Sequence, residues 1–170
     1  MTPFTLDADV VAVAASAPVV APDTRIVNIL DFEALGNGLI DSLNYERLYL
    51  AWNVGFRAGA SFFTYKLSNA TGAGNLTLAT FPLVASYYYG PPRHKLQLGL
   101  GATVLYIDAS SDAAGTKFGS TGLEVAATGV VGYRYLPKCR GFTFGAGFTP
   151  LFRTGKGFLP WGGVDVGIAF

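Results

Sequence analysis

One cysteine, Cys139, and one histidine, His94, occur in 170 residues. A lone thiol excludes an intrachain disulfide and any Cys-rich zinc or iron–sulfur site, and a lone imidazole excludes a multi-His metal centre. Charge is scarce as well. Asp, Glu, Lys and Arg make up 14% of the chain, against about 25% in ordinary soluble domains. Twelve Lys+Arg against eleven Asp+Glu leave a formal net charge of +1, which gives no global field for nucleic acid and no polybasic membrane patch. Long hydrophobic runs are missing too. No segment reaches the roughly 18 uninterrupted apolar residues that a transmembrane helix needs. Yet 51% of the chain is hydrophobic, mean hydropathy is +0.38, and there are 22 Gly, 13 Phe, 9 Tyr and 2 Trp. Such a chain is far from disorder and has too few charges to cover a water-facing surface. Lipid solubility without a long apolar run points to strands.

The polarity pattern agrees. From residue 95 the chain reads KLQLGLGATVLYIDA, with Leu96, Leu98, Leu100, Ala102, Val104 and Tyr106 on one face and Gln97, Gly99, Gly101 and Thr103 on the other. Period two marks a strand with one apolar face; a helix would repeat every 3.6 residues and would be weakened by the glycines. The same alternation recurs over 53–63, 76–89, 121–135, 142–153 and 163–170. Two less regular strands are expected over 26–35 and 39–47, joined at Asn37-Gly38, a pair that favours a tight hairpin turn. Eight strands without intervening helices predict an all-β, eight-stranded antiparallel up-and-down barrel over residues 26–170, preceded by a flexible tail or residual targeting segment over 1–25.

Which face points inward follows from size. Eight strands enclose a narrow bore. The bulky Leu, Val and Phe residues cannot all fit inside it, whereas Gly, Ser and Thr can, so the apolar face is expected outward against hydrocarbon. The bore then holds Asp31, Glu33, Glu46, Arg57, Glu124, Arg134, Arg153 and Asp165, a charge network in which acids and bases must pair, because isolated buried charges are costly. Short, basic, Pro-containing connections near 90–95 and 136–140 are expected at the periplasmic end. Longer Ser/Ala/Gly-rich loops near 67–76 and 108–120 are expected at the other. Tyr45, Tyr87, Tyr89, Tyr133, Tyr135, Phe142 and Phe170 then form a lipid-facing aromatic girdle near the periplasmic rim. The connection near Leu48–Trp52 contains no Gly, Pro, Asn or Asp, so the division between strands two and three is not marked.

Catalytic and metal chemistry find little support. His94 falls in the short basic turn, without a nucleophile near it in sequence. Ser110 and Ser111 lie beside Asp108 and Asp112, a combination that could hold a divalent cation but reads more simply as a polar loop. Gly36-Asn37-Gly38 and Gly99-Leu100-Gly101 are not phosphate loops, because no helix follows either. Asn69 and Asn75 head glycosylation sequons, to which no role is assigned. No catalytic residue, metal site or cofactor is assigned, and Cys139 is read as an unpaired thiol in a turn.

With these features the chain resembles the small outer-membrane β-barrels of Gram-negative bacteria, of OmpA/OmpX-type size. The terminal strand WGGVDVGIAF, ending in Phe170, is similar to the family's C-terminal signal, in which alternate apolar residues lead to a final aromatic residue. SLNYER (42–47), TFPL (80–83), LGLG (98–101), GYRY (132–135), GFTP (147–150) and PWGG (160–163) resemble a largely uncharacterised group of such barrels. The resemblance implies outer-membrane location, contact with membrane lipids and lipopolysaccharide, recognition by the barrel-assembly machinery through the terminal strand, a monomer, and no nucleic-acid partner. The amino terminus departs from an export signal: Asp7 and Asp9 precede Ala15-Ser16-Ala17, and no Lys or Arg precedes Arg25. The expected function is a structural or surface-interaction barrel with a filled polar lumen and no enzymatic activity. The alternatives are a narrow channel or small-ligand conduit, a lipid A-modifying enzyme, or a soluble lipocalin-like binder.

Overall fold

The computed structural model describes residues 24–69, 72–113, 116–153, 155 and 157–170, and the side chains of these except at 67–69, 72–73, 111–113 and 116–118. Most of the expected 1–25 tail lies outside the described residues. The strands are β1 (Ile26–Leu35), β2 (Asp41–Tyr49), β3 (Val54–Asn69), β4 (Gly72–Tyr89), β5 (His94–Ala113) and β6 (Thr116–Tyr135). They continue with β7 (Gly141–Phe148), β8 (Leu151–Arg153), β9 (Gly157–Leu159) and β10 (Gly162–Ala169). All pairings are antiparallel: β1 to β6 pair in chain order, β7 and β8 both pair with β6, β10 pairs with β7 and β9 with β8, and β1 with β10 closes the ring.

Ten segments make eight walls. β7 and β8 run along β6 in one continuous register, interrupted at Thr149-Pro150; β9 and β10 run along them, interrupted at Pro160-Trp161. Proline has no N–H to give the ladder, which breaks the hydrogen bonding without shifting the register. The backbone is carried across by Gly129 N–H donating to the Pro150 carbonyl and Thr149 N–H to that of Trp161. The result is a closed eight-stranded antiparallel barrel, as the alternation predicts.

Three expectations about connections change. The described residues of the stretches 67–76 and 108–120, namely 67–69, 72–76, 108–113 and 116–120, are strand rather than loop. β3 and β4 pair as far as Asn69↔Gly72, and β5 and β6 as far as Ala113↔Thr116. Ser, Ala, Asn and Gly read as loop formers, yet mutual pairing satisfies their backbones, and β3 to β6 rise as a sheet beyond the point where β1 and β2 end. Second, Asn37-Gly38 makes no two-residue turn. Ala34 pairs with Asp41, and the six intervening residues form a loop around a 3-10 turn at Gly36–Gly38 that is wholly buried. Third, the unmarked division after β2 is a turn at 50–53, ended by Asn53 in the left-handed region (φ 53°). That conformation suits Asn, and the signal stood one residue beyond the segment where none was visible.

Side chains divide as the pleat requires. Leu30, Phe32, Leu43, Phe56, Phe62, Phe81, Leu83, Leu98, Leu100, Leu123, Val125, Val131, Phe142, Val164, Val166 and Ile168 are exposed. Arg57, Ser61, Thr80, Ser86, Gln97, Thr103, Thr128, Arg134 and Thr143 are buried. The outer face is therefore apolar, and the inner face carries most of the buried polar and charged side chains beside smaller apolar clusters.

Candidate functional site

The interior is layered along the barrel axis. At the end that carries the turns 50–53, 90–93 and 136–140, an apolar cluster of Ile29, Leu48, Tyr88, Leu136 and Ala169 is buried, with Val27 and Leu50 packed against it. Next comes a charge cluster. Above it the buried Gly36–Gly38 turn crosses the bore. A second apolar layer of Leu105, Ala126 and Leu151, joined by Leu39 and Trp161, lies beyond the turn.

Six of the eight expected charges meet in the cluster. β1 contributes Asp31 and Glu33, β2 Glu46, β3 Arg57, β6 Arg134 and β10 Asp165; each sits at an inward position of its strand. Arg134 is bonded to Asp165, and its Nη2 lies 2.9 Å from Glu46 Oε2 and 3.4 Å from Asp31 Oδ2. Arg57 is ringed by carboxylates at 3.5 Å (Glu33), 3.6 Å (Glu46), 3.7 Å (Asp31) and 4.0 Å (Asp165). Neutral donors complete the acids. Asn44 Nδ2 donates to Asp31 Oδ1 at 3.0 Å, Ser42 Oγ to Glu33 Oε2 at 3.2 Å, and the Tyr88 hydroxyl to Glu46. Four carboxylates thus share two guanidiniums, with hydroxyl and amide donors spreading the excess negative charge.

Inward glycines make room for this packing. A Cβ on Gly55 would stand 2.3 Å from Glu46 Oε1, and one on Gly145 would stand 2.5 Å from Asp165 Oδ2. One interior cavity, bordered by Glu33, Arg57, Gln97, Thr149 and Asp165, has a volume of about 10 Å³, at the lower limit of what one water molecule occupies.

The other two expected members do not join. Glu124 and Arg153 pair with each other, and their side chains are 23% and 27% exposed. They stand on the far side of the turn, at the level of the second apolar layer, where Glu124 is opposite Leu105 and Arg153 opposite Ala126 in the ladder. One inward alternation therefore serves two separate sets of charges.

The sequence marks a turn at Asn37-Gly38 but not its burial inside the barrel. The turn is held by three threonines, one from each facing strand. Thr80 Oγ1 donates to the Gly38 carbonyl at 2.9 Å, Thr103 Oγ1 to the Asn37 carbonyl at 3.0 Å and Thr128 Oγ1 to Asn37 Oδ1 at 2.7 Å. Trp161 Nε1 adds a bond to the Leu39 carbonyl at 3.0 Å. Such close seating needs Gly163 on the wall, where a Cβ would come within 2.6 Å of Gly36 Cα.

Outside, Tyr45, Tyr87, Tyr89, Tyr133, Phe142 and Phe170 are exposed and Tyr135 is half-buried. Tyr135 stacks on Phe144 (5.1 Å between ring centroids), and Tyr49 stacks on Trp52 (5.8 Å), adding three rings to the set singled out from sequence. His94 opens β5 on the outer surface, with Nδ1 2.7 Å from the Tyr133 hydroxyl, and no nucleophile or carboxylate is bonded to it among the described residues. Ser111 and Asp112 have no described side chains, and no cluster of three or more metal-ligating residues occurs among the described residues.

No protein-family model matches the sequence, and no curated protein matches it. Solved structures do. The N-terminal β-barrel domain of Pseudomonas aeruginosa OprF is similar with a TM-score of 0.56 and 19% identity, over 85% of this chain and 97% of that one. Ail, the attachment invasion locus protein of Yersinia pestis, is similar with a TM-score of 0.52 and 12% identity over the same shares. A second Ail structure, in complex with the heparin analogue sucrose octasulfate, gives 0.51. At such identities the likeness concerns architecture. Closed wall, inward charge and outward hydrocarbon agree with it: this chain has the fold of the small eight-stranded outer-membrane β-barrels.

Proposed function

We propose that the protein is an integral outer-membrane barrel that seals rather than conducts, with a structural or surface-interaction role and no enzymatic activity. The observation that carries this reading is the filled bore: two apolar layers, a six-charge cluster and a buried turn occupy it in series. The outward Leu, Val and Phe contact acyl chains, and Tyr45, Tyr87, Tyr89, Tyr133, Tyr135, Phe142 and Phe170 lie at one interface, where an apolar ring with a polar tip is best accommodated. The β3–β6 sheet, with Phe62 and Tyr65 exposed, supplies the surface for contact with lipopolysaccharide or another partner beyond the membrane. In this reading β10 is the strand presented to the barrel-assembly machinery, and the barrel is a monomer whose closed ring leaves no edge strand to pair with a second chain.

Planar-bilayer recording tests the proposal. The protein reconstituted at neutral pH should give no steady openings, and reproducible unitary currents would overturn it.

A further inference from the structure

The outer wall is not smooth. On its apolar face Ala58 stands between Tyr45 and Leu83 in the ladder, and Ala85 stands between Phe56 and Leu100. Two neighbouring rows thus run bulky, small, bulky. The two alanines leave a groove of about 420 Å³ between those six side chains, within the roughly 300–1,000 Å³ of small-molecule sites.

Arg47 heads the second row, opposite Phe56, and is exposed on the same outward face. Its guanidinium lies over the Tyr49 ring, 5.7 Å from the centroid, and Tyr49 stacks on Trp52 and meets Phe56 edge-on. That contact uses the flat face of the guanidinium and leaves its N–H donors in plane. No carboxylate is paired with Arg47 among the described residues. Among strand residues with described side chains, the other Asp, Glu, Lys or Arg of outward parity are Asp41, Lys66 and Asp108, all at or beyond the far end of β2. Asn28 is opposite Arg47 in the β1–β2 ladder. The Tyr45 hydroxyl donates to Asn28 Oδ1 at 2.8 Å, which fixes the carboxamide and leaves Nδ2 as a second donor beside the guanidinium. Three residues before the turn at 50–53, Arg47 stands at the level of the aromatic girdle, where a cation on a lipid-facing wall meets headgroups instead of hydrocarbon.

We propose that this stretch of wall binds one anionic glycerophospholipid of the leaflet at the turn-bearing end. Arg47 and Asn28 Nδ2 take the phosphate, and one acyl chain lies along Ala58 and Ala85. A zwitterionic headgroup is the poorer fit, because its ammonium would meet an unopposed cation and no carboxylate. The site presupposes the outer-membrane placement proposed above and gives one part of that wall a lipid preference.

The full chain, purified in detergent, is offered phosphatidylglycerol and phosphatidylethanolamine of identical acyl chains at equal concentration, and native mass spectrometry reads the lipid it keeps. The unmodified chain should keep phosphatidylglycerol several-fold over phosphatidylethanolamine. Arg47→Gln should bring the two to parity. Ala85→Phe, which fills the groove, should lower retention of both, and Lys66→Gln, which removes a cation elsewhere, should change neither. Glycerol phosphate, a headgroup without chains, should not displace bound lipid. No preference in the unmodified chain, an undiminished preference in Arg47→Gln, an equal loss in Lys66→Gln, full retention in Ala85→Phe or displacement by glycerol phosphate would overturn the site. A chain with no heat-modifiable fold in detergent or lipid would overturn the membrane reading as well.

Discussion

Arg134 and Leu100 stand at opposite extremes of exposure, 0% and 78%, and each obeys the logic of an inside-out protein. Arg134 answers three carboxylates, those of Asp31, Glu46 and Asp165. Arg134→Met should therefore destabilise the barrel by about 3–5 kcal/mol, since losing one partner of a buried pair strands the other charges. Arg153→Met should cost about 1 kcal/mol or less, because its pairing with Glu124 is partly hydrated. Urea unfolding in lipid vesicles reads both; equal losses would contradict the separation of the two charge sets. Leu100 faces the other way. Leu100→Arg should cost roughly 2–4 kcal/mol if that position meets mid-membrane hydrocarbon, and a near-neutral effect in the same titration would place it in water.

Among elements, the Gly36–Gly38 turn decides whether the bore is continuous. Asn37 and Thr128 act as a unit there, joined by a 2.7 Å bond. Asn37→Ala and Thr128→Val should each destabilise by about 1 kcal/mol, and the double variant should lose less than their sum, by roughly 0.5–1.5 kcal/mol. Strict additivity would mean that the bond contributes nothing. The turn also shows where the sequence stops being informative. Period-two alternation assigned the faces of β3 to β7 and β10 because a one-residue shift would exchange every side chain, so Leu100 and Gly101 could not trade sides. Asn37-Gly38 reads the same whether its loop points out or folds in. What decides is the space left by Gly163 and the hydroxyls of Thr80, Thr103 and Thr128, which come from strands far away in the chain. The upper parts of β3 to β6 were hidden for another reason: their Ser, Gly and Asn favour loops locally, and pairing over a long ladder outweighs that preference. The charge cluster was half legible. Inward placement of all eight groups followed from the alternation, but height along the axis did not, and height is what separates Glu124 and Arg153 from the rest.

For the whole molecule, the balance of faces determines the solvent it can live in. An exterior of Leu, Val, Phe and Tyr around a polar interior has no stable arrangement in water alone. The purified chain should aggregate without detergent. In detergent or lipid it should fold into a species that migrates differently before and after boiling on a gel. A monodisperse, folded protein in plain buffer would favour a soluble ligand-binding barrel instead.

The most direct test of the inside-out arrangement is a spin-label scan along β5 in a lipid bilayer. Single cysteines are placed from 96 to 104 in a Cys139→Ser background, and their accessibility to oxygen and to a water-soluble nickel chelate is measured. Labels at 96, 98, 100, 102 and 104 should be open to oxygen and closed to the chelate, and those at 97, 99, 101 and 103 shielded from both. An opposite phase, with the odd positions open to the chelate and Leu98 and Leu100 shielded from oxygen, would contradict the account.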